Sequence, residues 1–398
     1  MTRISDAAAE VDAPSPQADE TAGLSPEQQA EARRYGRISL ALTLADMGLD
    51  LVYLSLMAFA FAWPIDAWLA TFAPLAGEQN FLRLLALFGV VIGLHILVSM
   101  PLSFYSGYVV EHRFGLSNQT LRRWTRNWAL SNTLAVLLGA ALNVGLFWIM
   151  WNTGAYWWLI TAGAFFVVSV VLGQLAPVLV LPLFYKVEPI DNPELVDRLK
   201  GLAERTGITI EGVYRLGLSA DTTKANAMLA GLGRTRRVLM GDTLLDKFSA
   251  EEIEVIFAHE LGHHVHRHIP KMIAIGLAFS LVGFWVLDRV LVWWAAIPSA
   301  AAAPTSSLPL VMFTLAVFMT LLSPLQNAIS RRFERQCDRY ALARTRDAAA
   351  YRSAFMKLAK LNKADPDPNP IEVLLLHSHP PIKERLALAE ELSSNFAS

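Results

Sequence analysis

Six stretches of this chain are predominantly apolar for 20 or more residues, at 38–63, 84–105, 128–151, 157–180, 272–297 and 310–329. A helix needs about 20 such residues to cross the hydrocarbon core of a bilayer, so the pattern predicts six membrane-spanning helices. Between the fourth and fifth stretches the periodicity changes to that of a soluble domain. Asn192-Pro193-Glu194 reads as an N-cap followed by proline at the first helical position, predicting a helix to about Arg205. Short runs at 208–214, 225–229 and 237–240, separated by Gly-containing turns, predict a small sheet. Ser249-Ala250-Glu251-Glu252 then spells a capping box, so a further helix starts there.

Composition supports this reading: 54% of residues are hydrophobic, eleven are Trp and mean hydropathy is positive, outside the usual soluble range. The basic residues set the expected orientation. Arg33, Arg34 and Arg37 precede the first span, and Arg113, Arg122, Arg123 and Arg126 lie between the second and third. Segments 186–271 and 330–398 also carry Lys and Arg, whereas the alternate loops 64–80, 152–156 and 298–307 carry none. Positive-inside bias therefore places both termini and the soluble segments in the cytoplasm. Net charge is −1 with no long basic block, which excludes a nucleic-acid partner on electrostatic grounds. A single Cys, Cys337, excludes an intrachain disulfide. Residues 1–37 are rich in Ala, Glu, Pro, Ser and Gln, resemble no signal peptide, and are expected to be a disordered tail. The predicted organisation is thus a tail (1–37), a four-helix membrane region (38–185), a first soluble part (186–271), two membrane helices (272–329) and a second soluble part (330–398).

The chemistry is concentrated in Phe257-Ala258-His259-Glu260-Leu261-Gly262-His263-His264, which carries H-E-x-x-H within the helix capped by Ser249. Positions i and i+4 share a helix face, so His259 and His263 can aim two imidazoles at one Zn2+ ion while Glu260 acts as base toward the attacking water. A surface helix that is merely rich in His is the plain alternative, since His264, His266 and His268 follow. A catalytic zinc takes a third protein ligand. Glu334, with Asp338 four residues later on one helical face, fits: Glu334 as ligand and Asp338 as acceptor for the outer N–H of a ligating His. Taken alone, the same pair also reads as a solvated face paired with Arg331, Arg335 or Arg339. Polar residues within the spans, namely Asp46, Asp50, His95, Asn132, Asn143, Gln174, Asp288 and Arg289, should face protein or a hydrated cavity, either lining a chamber or joining helices.

These motifs together resemble the type I CAAX prenyl proteases, integral-membrane zinc metallopeptidases of the gluzincin group. Tyr108-Val109-Val110-Glu111-His112-Arg113-Phe114-Gly115 is similar to the family's charged loop ahead of a membrane helix, and Leu181-Pro182-Leu183-Phe184-Tyr185-Lys186 to its exit from the N-terminal membrane region. The resemblance extends from about Ile38 onward. It implies a polytopic α-helical membrane protein with a cytoplasmic-side gluzincin α+β metallopeptidase domain, hydrolysing peptide bonds. It further implies that Asn226-Ala227 is the edge strand that pairs with peptide substrate, that His379, in Ser378-His379-Pro380-Pro381, stabilises the oxyanion, and that Arg385 grips substrate or holds the site together. An ordinary strand at 225–229 and a plain loop and helix start at Ser378-His379-Pro380-Pro381 remain the simpler readings of those segments. Eukaryotic members have seven membrane helices around a water-filled chamber, against six spans here, which a shorter bundle or a missed helix at 63–72 would explain. The expected partners are a peptide or protein substrate, membrane-associated or lipidated, and membrane lipid. The short chain and compact loops favour a bacterial inner membrane over the endoplasmic reticulum. Motifs at a metal report mechanism and say little about what enters the chamber.

Two other readings use the same motif. A site-2-type intramembrane protease also carries H-E-L-G-H, but needs a later Leu-Asp-Gly within a span, and Leu287-Asp288 continues with Arg289. A transporter or scaffold with a structural zinc has no need of Glu260, and would close the coordination sphere with a fourth ligand.

Overall fold

The computed structural model describes residues 23–230, 236–294, 296 and 299–396. Among the described residues, six helices are long and apolar enough to cross a membrane: Pro26–Leu69, Phe81–Arg113, Leu121–Asn152, Gly154–Phe184, His268–Trp293 and Thr305–Thr345. Most of them run well beyond the apolar stretch that predicts them, because polar residues extend them into water. The first starts at Pro26, inside the segment expected to be a disordered tail. Ser25 and Gln28 form a full capping box there with proline at the first helical position, and those local signals outweigh the polar composition. The remainder of the expected tail, residues 1–22, lies outside the described residues. Residues 62–69 continue the first helix after a π-turn, so 63–72 adds no seventh span.

A four-stranded sheet, β1 (Val187–Pro189), β2 (Gly212–Leu216), β3 (Ala227–Ala230) and β4 (Arg237–Gly241), has the order β1-β2-β4-β3. β2 and β4 are parallel, with Val213 opposite Val238, while β1 and β3 flank them antiparallel. β3 is therefore an edge strand. β2 lies a few residues later than the 208–214 run, whose Ile208 and Ile210 are buried in a loop following Gly207, φ +72°. β1 is three residues long and ends in proline, too short to register as a strand pattern.

Two cores follow from the two kinds of pattern. Leu199, Val238, Met240, Leu244, Phe257, Leu261 and Tyr351 pack the soluble part, and Leu84, Leu87, Phe147, Met150, Trp157, Leu287 and Leu308 pack the bundle. The end of Phe81–Arg113 and the loop after it tie them together: Glu111 pairs with Lys224 at 2.8 Å, Tyr35 donates to Glu111 at 2.6 Å, and Ser117 bridges Thr222. The basic loop and the sheet thus lie at one end of the bundle.

Polar groups within the spans mostly bond between or along helices. His95 Nε2 lies 2.8 Å from Asp50 Oδ1, Trp157 donates to Asp288 at 2.6 Å, and Asp288 also pairs with Arg289. Asn132 and Asn143 donate to carbonyls four residues back. Gln174 instead lines a cavity of about 850 Å³ that reaches from Glu260 and His263 into the bundle.

Candidate metal centre

The motif helix, Ala250–Val265, begins at Ser249, whose side chain accepts from the Glu252 N–H while Glu252 accepts from the Ser249 N–H. Its apolar face, with Val255, Phe257, Ala258 and Leu261, is buried against the sheet and the long helix Leu308–Thr345. The two helices cross at Gly262. A Cβ there would lie 3.0 Å from the Cys337 Cα and 3.2 Å from its Sγ, so the crossing depends on the missing side chain. Gly262→Ala is expected to separate the helices and cost about 1–3 kcal/mol, the usual range for overpacking, read as a lower unfolding temperature in detergent.

This crossing brings His259, His263 and Glu334 together. Glu334 Oε2 lies 3.1 Å from His259 Nε2, and Glu334 Oε1 lies 3.3 Å from His263 Nε2. Glu334 and Asp338 are only 4% and 1% exposed, which rules out the solvated-face reading. Two of the arginines that would have paired with them go elsewhere: Arg331 donates to the carbonyls of Val373 and His377, and Arg335 pairs with Glu384. Asp338 Oδ1 lies 3.0 Å from His259 Nδ1 and is also bound by Arg385. The Arg385 guanidinium, buried, lies 3.7 Å over the Phe355 ring and 3.3 Å from His259 Nδ1.

Burial alone would lower the His259 pKa, but the Asp338 and Glu334 carboxylates beside its two ring nitrogens outweigh it and raise it to about 9. Burial pushes the Glu260 carboxyl above the usual carboxylate range, partly offset by His259 and His263. Glu260 faces the large cavity beside His263 and Leu229, and the Leu229 backbone reaches its carboxylate. Ala227 is paired with Met240 in β3, and the Asn226 carbonyl, just before the strand, accepts from the Gly241 N–H at 2.9 Å. His379 is largely exposed, with Nε2 3.6 Å from Glu334 Oε2 and Nδ1 2.9 Å from Ser378 Oγ. The fold thus brings His259, Glu260, His263, Glu334, Asp338 and His379 close together, with Arg385 behind Asp338, while Ala227 starts the adjacent strand β3 and Asn226 immediately precedes it.

Sequence reasoning missed the flanking groups. Cys337 Sγ clusters with His259 and His263, within 4.8 Å, and Phe355 is the ring under Arg385. His268 contacts His263 at 3.2 Å and Gln336 at 2.9 Å. Position in the H-x-H-R-H run gave a hint for His268 alone.

The residues fit a metal. Glu334 Oε2 is a buried oxygen without a hydrogen-bond partner among the described residues, set between imidazole nitrogens whose outer faces are already engaged. Two nitrogens and one carboxylate suit a divalent transition metal.

Comparison with known proteins gives concordant matches. Residues 189–393 match the profile of peptidase family M48, and residues 10–186 match the CAAX prenyl protease N-terminal region, described as five membrane helices. The chain is 27% identical over 381 residues to the uncharacterized metalloprotease YhfN of Bacillus subtilis, covering 94% of this chain and 88% of that one. It is 28% identical to a CAAX prenyl protease 1 homolog of Oryza sativa, covering 87% and 82%. The crystal structure of S. mikatae Ste24p shares the fold, with a TM-score of 0.78 at 23% identity over 95% of this chain and 91% of that one.

Proposed function

Because this chain belongs to peptidase family M48 and is a multi-pass membrane metalloprotease, we propose that its metal is one zinc ion held by His259, His263 and Glu334. The observation that carries this ligand set is the Glu334 carboxylate, buried with one oxygen facing each His Nε2. Cys337 Sγ belongs to the same cluster but lies 3.6 Å from His268 Nδ1, and we leave it outside the ligand set. Zinc held there would supply Lewis acidity toward a scissile carbonyl.

The chain's own residues do the rest. β3 has an outer edge beside Glu260 that pairs with no other strand among the described residues, and an extended substrate can pair with it through backbone hydrogen bonds, with Asn226 and Ala227 at its start. Glu260 takes a proton from the attacking water and returns it to the leaving amine. His379, on the exposed rim, donates a hydrogen bond to the developing oxyanion. Asp338 holds the His259 Nδ1–H, so that Nε2 is free for the metal, and Arg385 neutralises Asp338 in its buried position. Arg385 is a support and not a substrate clamp, since its guanidinium is covered by Phe355 and Asp338.

The substrate class we favour is a peptide with an apolar, lipidated end, as in the relatives named CAAX prenyl proteases. The cavity of about 850 Å³ supports it: from Glu260 and His263 it continues past Ile269, Met272, Phe279, Phe284 and Phe318 into the bundle. The motif helix lies outside the six spans, which disfavours the site-2-type reading. The basic loops support a cytoplasmic-side centre, in a bacterial inner membrane by preference and otherwise in the endoplasmic reticulum. The division of the peptidase part into 186–271 and 330–398, with two membrane helices between, follows the same reading.

Lipid use can be tested at Gly276, which lines the cavity with nothing within 4 Å of a Cβ built on it. Gly276→Leu is expected to lower kcat/KM for a prenylated peptide by about tenfold, the scale of a lost apolar contact, and to leave a short unlipidated peptide unaffected. Equal kinetics on both peptides in both proteins would remove the lipid from the proposal and leave the peptidase.

A further inference from the structure

His268 opens the fifth spanning helix directly after Arg267, whose φ of 56° is left-handed. The chain therefore turns sharply at the end of the motif helix and brings the His268 ring back alongside His263. That ring is 2% exposed. It stacks on Phe333 at 4.2 Å and 11°, with His266 on it at 5.6 Å and 24°, so its plane is fixed. Its Nε2 lies 2.9 Å from Gln336 Oε1, and its Nδ1 lies 3.2 Å from His263 Nδ1.

An amide oxygen can only accept a hydrogen bond, so Nε2 of His268 carries the proton and donates to Gln336. The Nδ1 of neutral His268 is then a bare acceptor, and it takes the N–H of His263 Nδ1. This leaves the His263 lone pair on Nε2, the nitrogen that faces Glu334 Oε1. We infer that His268, oriented by Gln336 and stacked on Phe333, is a positioning residue that fixes the tautomer of His263 for zinc, the part played for His259 by Asp338. The Cys337 thiol, 3.6 Å from the same Nδ1, is a weaker and more distant donor. The two ligands are thereby oriented by different chemistry: a charged, arginine-backed carboxylate behind His259 and a neutral imidazole–amide chain behind His263.

The inference rests on His263 being a ligand, so the experiment includes that control. Zinc affinity is measured by chelator competition on the full-length protein in detergent, with unfolding temperatures of the zinc-free forms, for wild type, His263→Ala, His268→Phe, His268→Asn and Gln336→Met. His268→Phe keeps the stack on Phe333 and loses both nitrogens; it is expected to weaken zinc by about 10–100-fold, the usual cost of losing such a partner. His268→Asn puts an amide oxygen near His263 Nδ1 and is expected to hold zinc within about threefold of wild type. Gln336→Met should fall between the two. If His268→Phe does not fold, the His268→Asn and Gln336→Met affinities decide by the same values. Wild-type affinity in His268→Phe, or equal losses in His268→Phe and His268→Asn, would overturn the inference while zinc loss in His263→Ala leaves the ligand set standing. Zinc retained in His263→Ala would overturn the ligand set and the inference with it.

Discussion

Glu260→Gln is expected to retain one zinc per chain and to lose about 10²–10⁴-fold in kcat, the range for removing a positioned general base. The substitution keeps the size of the side chain and removes only its ability to take a proton. His259, His263 and Glu334 make their mutual contacts without Glu260, so the metal centre has no reason to fall apart. Glu260 faces the cavity beside Leu229, where the substrate carbonyl would have to lie. Metal content by elemental analysis, read beside turnover of a fluorogenic peptide, separates the two effects. Loss of zinc and activity together would mean that Glu260 has a structural role as well.

Glu334→Ala is expected to lose zinc and turnover together, by more than about 10²-fold in affinity, because two imidazoles alone make an incomplete catalytic set. The variant also leaves His259 Nε2 and His263 Nε2 facing an empty space where a carboxylate now reaches both. Cys337→Ser is the informative partner. Its sulfur belongs to the same cluster, yet the ligand set excludes it, so Cys337→Ser should keep stoichiometric zinc. Full occupancy in Glu334→Ala with loss in Cys337→Ser would exchange the two residues' roles.

How much of this was legible in the sequence varies with the range of the interaction. The motif helix could be read outright, since the Ser249 and Glu252 capping box and the i, i+4 spacing of His259 and His263 are local. Glu334 and Asp338 could be paired with that helix because their own spacing shows one face, although only the fold shows that this face is buried and that Arg331 and Arg335 turn away. His268, Gln336 and Phe333 could not be read, since their contact joins two helices separated by a hairpin through the bundle, and no periodicity records it. Arg385 was visible as a motif residue, but the sequence left its role open between substrate and structure; the ring of Phe355 over its guanidinium supports the structural role proposed above. The first helix shows a signal present but passed over: Ser25, Pro26 and Gln28 spell a helix start, which the polar composition around them hides from a reading by composition. β2 differs from the run that predicts it because strand ends here are set by pairing partners and not by local propensity.

The most direct test is cleavage of an unstructured fluorogenic peptide by the detergent-purified protein as isolated, after removal of metal by a chelator, and after zinc is restored. The account predicts turnover, its loss, and its return with one equivalent of zinc per chain. Turnover that survives complete removal of metal, with the protein still folded, would contradict it.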